Sequence, residues 1–187
     1  MKRIIIMFFC IAFALSSITN IYAAETGKVL GKVFQEKGFG YTIEYPAGWI
    51  YTTQSAHTVI FSGKKETEAY YSTVSIHNLL STKHKEGQYK DVDAIIEEYE
   101  KQLKTAQDAK IYHPEPFVYK KDGVKLTGKQ FMAEYTLQGE RYKQWMIIIL
   151  RNDGEVFHTW FYISPAKRYD TYLGIAKAML DSWVILE

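Results

Sequence analysis

One hairpin constrains this chain more than any other segment. Trp145, Ile147 and Ile149 alternate with Met146, Ile148 and Leu150, and further on Phe157 and Phe161 alternate with Val156, Trp160 and Tyr162. Between the two runs lies Asn152-Asp153-Gly154, residues that suit a short hairpin turn. Successive side chains of a strand point to opposite faces, so a sheet with one face in water carries a polar residue at every second position. Here both alternating sets are apolar. Both faces must be covered, and the two strands belong in the middle of a sheet with a helix or long loop on each side.

The rest of the chain supplies neighbours for that hairpin. Phe39 to Tyr45 alternates as a strand does, Pro46-Ala47-Gly48 ends it, and Trp49-Ile50-Tyr51 follows. His57 to Ser62 reads as a second strand and Tyr70 to Leu80 as a long third. Residues 24 to about 37 are mixed and carry no clear element. Ile111 to Tyr119, Lys125 to Leu137, Arg141 to Arg151 and Glu155 to Ile163 form an antiparallel meander, with turns at Lys121-Asp122-Gly123, Gln138-Gly139-Glu140 and Asn152-Asp153-Gly154.

Two stretches change period. Val92, Ile95, Ile96, Tyr99, Leu103 and Ala106 make one apolar stripe, which predicts a helix over 92–106 with Asp91 as N-cap. Glu97 with Lys101 and Glu100 with Lys104 are i,i+4 pairs on its outer side. Pro165 opens a second helix, whose stripe holds Tyr169, Tyr172, Leu173, Ala176, Leu180 and Trp183, with Met179 beside it. The expected fold class is α+β: an antiparallel β-sheet covered by helices on both faces, an αβα sandwich.

The N-terminus has the three parts of a secretory signal peptide. Lys2 and Arg3 precede the apolar run Ile4–Leu15, and a polar stretch then leads to Ile21-Tyr22-Ala23. A membrane-spanning helix needs about 20 apolar residues, more than this run supplies. Residues 1–23 are expected to be removed, leaving 24–187 as a single domain in the periplasm or outside the cell, with no membrane span. Cys10 lies inside the apolar run after Phe8-Phe9, where a lipoprotein signal does not place its cysteine. Its loss removes the only thiol, and with it any disulfide, thiol nucleophile or thiolate ligand.

The whole chain has 23 basic and 21 acidic residues, and its pI is about 8.4. Lys2 and Arg3 leave with the signal and no acid does, so the charge of residues 24–187 is near zero. No net field draws in nucleic acid or anionic lipid.

The tests for chemistry return no candidate catalytic, cofactor-binding or metal-ligating residues. His57, His77, His84, His113 and His158 lack ligand spacing, and His113-Pro114-Glu115 is the nearest thing to a cluster. His158, on a central strand, is expected to be partly buried and hydrogen-bonded. Ser62, Ser72 and Ser75 have no evident base in the sequence. The acid pairs Asp91 with Asp93 and Glu97 with Glu98 fall on a solvated helix surface. No nucleophile elbow, phosphate loop or dinucleotide fingerprint occurs. The unusual pool is aromatic, 16% of the chain with 15 tyrosines. Tyr70, Tyr71, Tyr112, Tyr119, Tyr135, Tyr142, Trp145, Trp160 and Tyr162 either fill a tyrosine-rich core or line a groove between sheet and helix.

The run Phe39-Gly40-Tyr41-Thr42-Ile43-Glu44-Tyr45-Pro46-Ala47-Gly48-Trp49 resembles the opening of PsbP-like domains. His57-Thr58-Val59-Ile60-Phe61 matches the next element of that family, and the Pro-led helix ending in Ser182-Trp183 matches its close. The resemblance implies an αβα sandwich. It also implies kinship with extrinsic subunits of the photosynthetic oxygen-evolving complex, bacterial envelope proteins and a nuclear Ran-binding protein. It implies no catalyst. No residue matches a metal site of the photosynthetic members, and an export signal is at odds with a Ran partner.

The expected function is therefore a non-enzymatic secreted or periplasmic protein that binds a protein partner or assists envelope assembly, without a cofactor. The alternative is a carrier of a small apolar ligand in a pocket between sheet and helix. A hydrolase with an unrecognised site is a third reading. If the signal is cut after Ala23, the intact mass of the exported protein will place its first residue at Ala24. A mass that retains residues 1–23 would contradict this.

Overall fold

The two-faced hairpin lies inside an eight-stranded antiparallel sheet in the computed structural model, which describes residues 29–186. The expected signal peptide, residues 1–23, lies outside the described residues. In chain order the strands are β1 (Lys32–Glu36), β2 (Tyr41–Tyr45), β3 (Trp49–Ser55), β4 (Thr58–Gly63) and β5 (Thr73–Leu80). Helix α1 (Val92–Leu103) follows, then β6 (Gln107–Ile111), β7 (Glu115–Lys121), β8 (Val124–Leu137), β9 (Glu140–Leu150) and β10 (Val156–Pro165). The chain closes with α2 (Tyr169–Ser182) and β11 (Val184–Ile185). The large sheet runs β3-β4-β5-β10-β9-β8-β6, with β7 also paired to β8. A second, three-stranded sheet runs β1-β2-β11. The chain is α+β and mostly antiparallel sheet.

Register sets which side chains share a face. Trp160 of β10 stands opposite Ile147 of β9 and Ile76 of β5. Val74, Ile76, Ile147, Ile149, Trp160 and Tyr162 join one apolar cluster with Tyr41 and Ile43 of β2 and with Ala176, Met179 and Trp183. The alternate residues Phe131, Met146, Ile148, Phe157 and Phe161 join another with Ile95, Ile96, Tyr99 and Leu103 of α1. Full burial of one such side chain is worth about 1.5–3 kcal/mol.

Local signals agree with these elements. Asp91 caps α1, its Oδ1 accepting from the Ala94 amide at 2.8 Å. Glu100 and Lys104 pair at 3.2 Å. Gln138 and Gly139 both have positive φ (51° and 79°), as do Asp122 and Gly123 (48° and 83°), which is the backbone that two-residue hairpins need.

Several expected boundaries shift. Residues 68–71 form a 3₁₀ turn, not the start of a strand: the Ser72 amide reaches the Ala69 carbonyl at 3.1 Å, and β5 begins at Thr73. Helix α1 stops at Leu103 instead of continuing to 106. The Thr105 hydroxyl takes the Gln102 carbonyl at 2.6 Å and the Ala106 amide takes that of Leu103, a tightened last turn. Of the strand expected over 111–119 only residues 115–119 lie in β7, while β6 covers 107–111 and meets the expectation only at Ile111; the strand is interrupted at 112–114, around Pro114, which has no amide to contribute. Strands β6 and β7 dock one after the other along β8. Strand β1 and the full length of β3 lay outside the strand expectations.

Trp183 closes the assembly. It is fully buried, and its ring lies 6.4 Å from Tyr41, 6.0 Å from Tyr119 and 5.9 Å from His158. The Tyr119 hydroxyl donates to the Trp183 carbonyl and accepts from the Ile185 amide, at 3.2 and 2.9 Å. Replacing Trp183 with Ala should cost about 3–5 kcal/mol of unfolding free energy, measured by denaturant titration. A loss below about 1 kcal/mol would show that the residue is not a core element.

Candidate functional site

The apolar character of β9 begins at Trp145. Before it the strand reads Glu140-Arg141-Tyr142-Lys143-Gln144, and this half leaves an open shelf on the α2 side of the sheet. Lys143 stands opposite Glu134, and Trp145 opposite Met132. These residues, with Gln130, form one wall and the floor of a cleft of about 510 Å³. Tyr169, the first residue of α2, Tyr112 and His113 of the β6–β7 connection and Glu115 at the start of β7 complete the lining.

The groups around the cleft hold one another in place. Trp145 packs edge-on against Trp160, centroids 5.2 Å apart, and its Nε1 donates to Gln130 Oε1 at 3.1 Å. The Tyr169 hydroxyl points at Met132 Sδ, 3.7 Å away, while the Lys143 ammonium stands 5.7 Å from the Tyr169 ring centroid. Glu134 accepts from Arg141 at 2.8 Å and from the Tyr112 hydroxyl at 3.3 Å. The Arg141 bond, aided by Tyr112, holds the Glu134 carboxyl below its ordinary range. The result is an aromatic floor with a rim of fixed, mixed charge. Such a surface can accept an amphipathic group.

Of the nine pooled aromatics, Tyr112 and Trp145 line this cleft, whereas Tyr119, Tyr135, Trp160 and Tyr162 are buried in the two clusters. Both expectations for the pool therefore hold in part. Sequence reading missed Tyr169, which sits on a helical stripe that looks like core alone. It also missed Gln130, Glu134 and Lys143. The signal for them was present: polar residues enter the alternation of β8 and β9 where the overlying helix ends.

Among the described residues no three His, Cys, Asp or Glu side chains are grouped so as to hold a metal ion. His113, Glu115 and Glu134 all line the cleft, but they do not converge as a ligand set, and Glu134 is engaged by Arg141 and Tyr112. Ser75 Oγ lies 3.4 Å from His77 Nε2, a long contact on the α1 side of the sheet. The His77 ring packs on Phe161 with centroids 4.6 Å apart, and among the described residues no carboxylate orients it. Ser72 instead pairs with Ser164 at 2.8 Å in the core.

His158 departs from expectation. It is fully buried, not partly, and only one ring nitrogen has a hydrogen bond. Nδ1 meets Asn78 Oδ1 at 2.8 Å, and Asn78 Nδ2 donates to the His57 carbonyl at 3.2 Å. That orientation of the amide makes Nδ1 the protonated nitrogen. Nε2 lies unpartnered among the Tyr41 and Trp183 rings. Burial, with a contribution from Arg151, lowers the His158 pKa to about 3.

The fold is the PsbP-like fold. Cyanobacterial PsbP, CyanoP, from Synechocystis sp. PCC 6803 superposes with a TM-score of 0.56 at 14% identity, over 88% of this chain and 97% of that one. The Saccharomyces cerevisiae Ran-binding protein Mog1p gives 0.53 at 9% identity, over 84% and 97%. LpqN, involved in cell envelope biogenesis of Mycobacterium tuberculosis, gives 0.50 at 12% identity, over 79% and 83%. No family model and no curated protein matches the sequence. Among the described residues no helix is long and apolar enough to cross a membrane.

The buried histidine predicts a pH dependence. Its pKa is 6.5 in an unfolded chain and about 3 in the fold, so between those values unfolding takes up a proton. Stability from this group is complete above pH 6.5 and falls as the pH drops toward 3, by up to about 1.4 kcal/mol per pH unit. Denaturant titrations across this range should show that slope in the wild type and a shallower one in His158→Gln. Equal slopes would contradict the assignment.

Proposed function

We propose that this chain is an exported, non-enzymatic binding protein. In this reading residues 1–23 are the signal peptide. Residues 24–187 form one PsbP-like αβα domain with a helix on each face of the sheet, and no residue has a catalytic, cofactor or metal role. The domain docks a segment of a protein partner in the cleft floored by Trp145 and Met132.

The observation that carries the proposal is the chemistry of that cleft. Aromatic and sulfur-bearing side chains are presented at an open mouth, and their polar atoms are already tied to neighbours. Interfaces draw their energy from such aromatic anchors. A hydrolytic site would need a nucleophile, a base and an oriented third group in one place. Ser75 and His77 lie on the opposite face without the third. The fold neighbours support a binding role in the terms used for them: one is a Ran-binding protein and another is involved in cell envelope biogenesis.

The carrier reading keeps one observation in its favour. The volume of about 510 Å³ falls within the roughly 300–1,000 Å³ usual for small-molecule sites. The open mouth and the Glu134–Lys143 rim suit a passing chain segment better than an enclosed apolar molecule.

A photo-reactive residue placed at Tyr112 should trap one protein from envelope extracts. Trp145→Ala, verified as folded, should reduce that capture at least about tenfold, in line with the loss of an interface anchor. Unchanged capture would overturn the proposal. A small molecule that co-purifies with the wild type and is lost in Trp145→Ala would transfer the site to the carrier reading.

A further inference from the structure

The two edges of the large sheet differ. One edge, made by β6 and β7, carries Asp108, Lys110, Pro114, Glu115, Pro116, Lys120 and Lys121. Charge and proline are the usual means by which an edge avoids pairing with another chain. The other edge is β3, Trp-Ile-Tyr-Thr-Thr-Gln-Ser, which has neither. Every residue from Ile50 to Ser55 is exposed, including Ile50 at 38% and Tyr51 at 47%.

The backbone of β3 shows which groups are free. The Trp49 amide bonds the Pro46 carbonyl at 3.0 Å, and the Trp49 carbonyl accepts from Lys32 Nζ at 3.3 Å, so both point away from β4. Antiparallel pairing alternates inward and outward groups. Tyr51 and Thr53 therefore also turn their N–H and C=O outward, and among the described residues β3 has no partner but β4. The irregularity in the β3–β4 ladder comes only after Thr53.

Charge indicates what could pair there. Strand β1 lies beside β3, with Phe34 and Tyr51 packed edge to face at 4.9 Å. Lys32 flanks the Trp49 end of β3, and Glu36 shares a recess with Thr53 and Ser55 at the other end. The edge is thus neutral along its length, with a cation at one end and an anion at the other. Its electrostatic complement is the same edge turned end for end.

We propose that β3 pairs antiparallel with β3 of a second copy, about a two-fold axis at Thr52, joining the two large sheets. Tyr51 of each copy then exchanges both backbone hydrogen bonds with Thr53 of the other. Thr52 faces Thr52 as a non-hydrogen-bonded pair, and Lys32 of each copy approaches Glu36 of the other. Such an interface is isologous and closed, so it stops at two copies. It uses a surface separate from the Trp145 cleft and stands or falls independently of the binding role proposed there.

The test uses the mature chain, which has no cysteine of its own. Sedimentation should show a concentration-dependent dimer, and hydrogen exchange should slow at the Tyr51 and Thr53 amides as the dimer forms. The exposed substitution Thr52→Lys sets two cations face to face and should weaken the dimer at least tenfold. Thr52→Cys should oxidise to a disulfide-linked dimer, because a non-hydrogen-bonded pair brings Cα atoms to about 4.5 Å. Ile50→Cys should not, as its symmetry mate lies several residues away. Lys32→Glu should weaken association and Lys32→Glu with Glu36→Lys should restore it. A monomer at all concentrations would overturn the proposal, as would a dimer indifferent to Thr52→Lys. Protection of the Tyr51 and Thr53 amides in a monomer would also overturn it, assigning the edge to a segment of the same chain.

Discussion

The pairing of β9 with β10 is the contact on which the other elements depend. Trp160 has Ile147 on one side and Ile76 on the other, and Phe157 and Phe161 project to the opposite face. Neither face can be left to water, so each requires a cover, and the cover must match the strands in length. Where β9 turns polar, at Lys143 and Arg141, the requirement lapses. The cleft at Trp145 is thus the border of the two-faced region. The feature that demands covering also fixes where covering ends, and the aromatic floor is exposed at that border.

Much of this architecture was legible in the residues. The alternation in 145–162 announced central strands, the stripe from Val92 to Leu103 announced a helix, and Asp91 its cap. Strand β1 was not legible, because Lys32-Val33-Phe34-Gln35-Glu36 buries one residue and takes its structure from β2 beside it. Strand β3 after Trp49 was hidden for a similar reason: it is exposed on both faces, so burial leaves no period to read. Tyr70 to Ser72 misled in the opposite direction, with alternation that local turn bonds override.

The cleft was half legible. Tyr112 and Trp145 stood out as aromatics on strands of mixed polarity. Tyr169 did not, since a residue at the start of a helix can belong to the core and to a surface recess together. Glu134 and Lys143 are ordinary charges in sequence and gain meaning only from being opposite each other across β8 and β9. The Ser75–His77 contact depends on strand geometry that sequence spacing suggests but does not establish. His158 shows the limit most plainly. A polar residue on a central strand is expected to be satisfied, and here Asn78, 80 residues earlier, satisfies only one of the two ring nitrogens.

The small sheet has a consequence for how the molecule comes together. Strand β11 is two residues long, yet it pairs with β2, nearly the whole described chain away, and the Trp183 beside it fills the space between that sheet and the large one. The β1–β2 hairpin is local, but its third strand cannot be added before the C-terminal segment arrives, a contact of high sequence separation. The meander β7 to β10 can form from neighbours in the chain, while the layer around Tyr41 and Ile43 waits. A nascent polypeptide of this sequence leaves that side uncovered until Trp183 and β11 are in place.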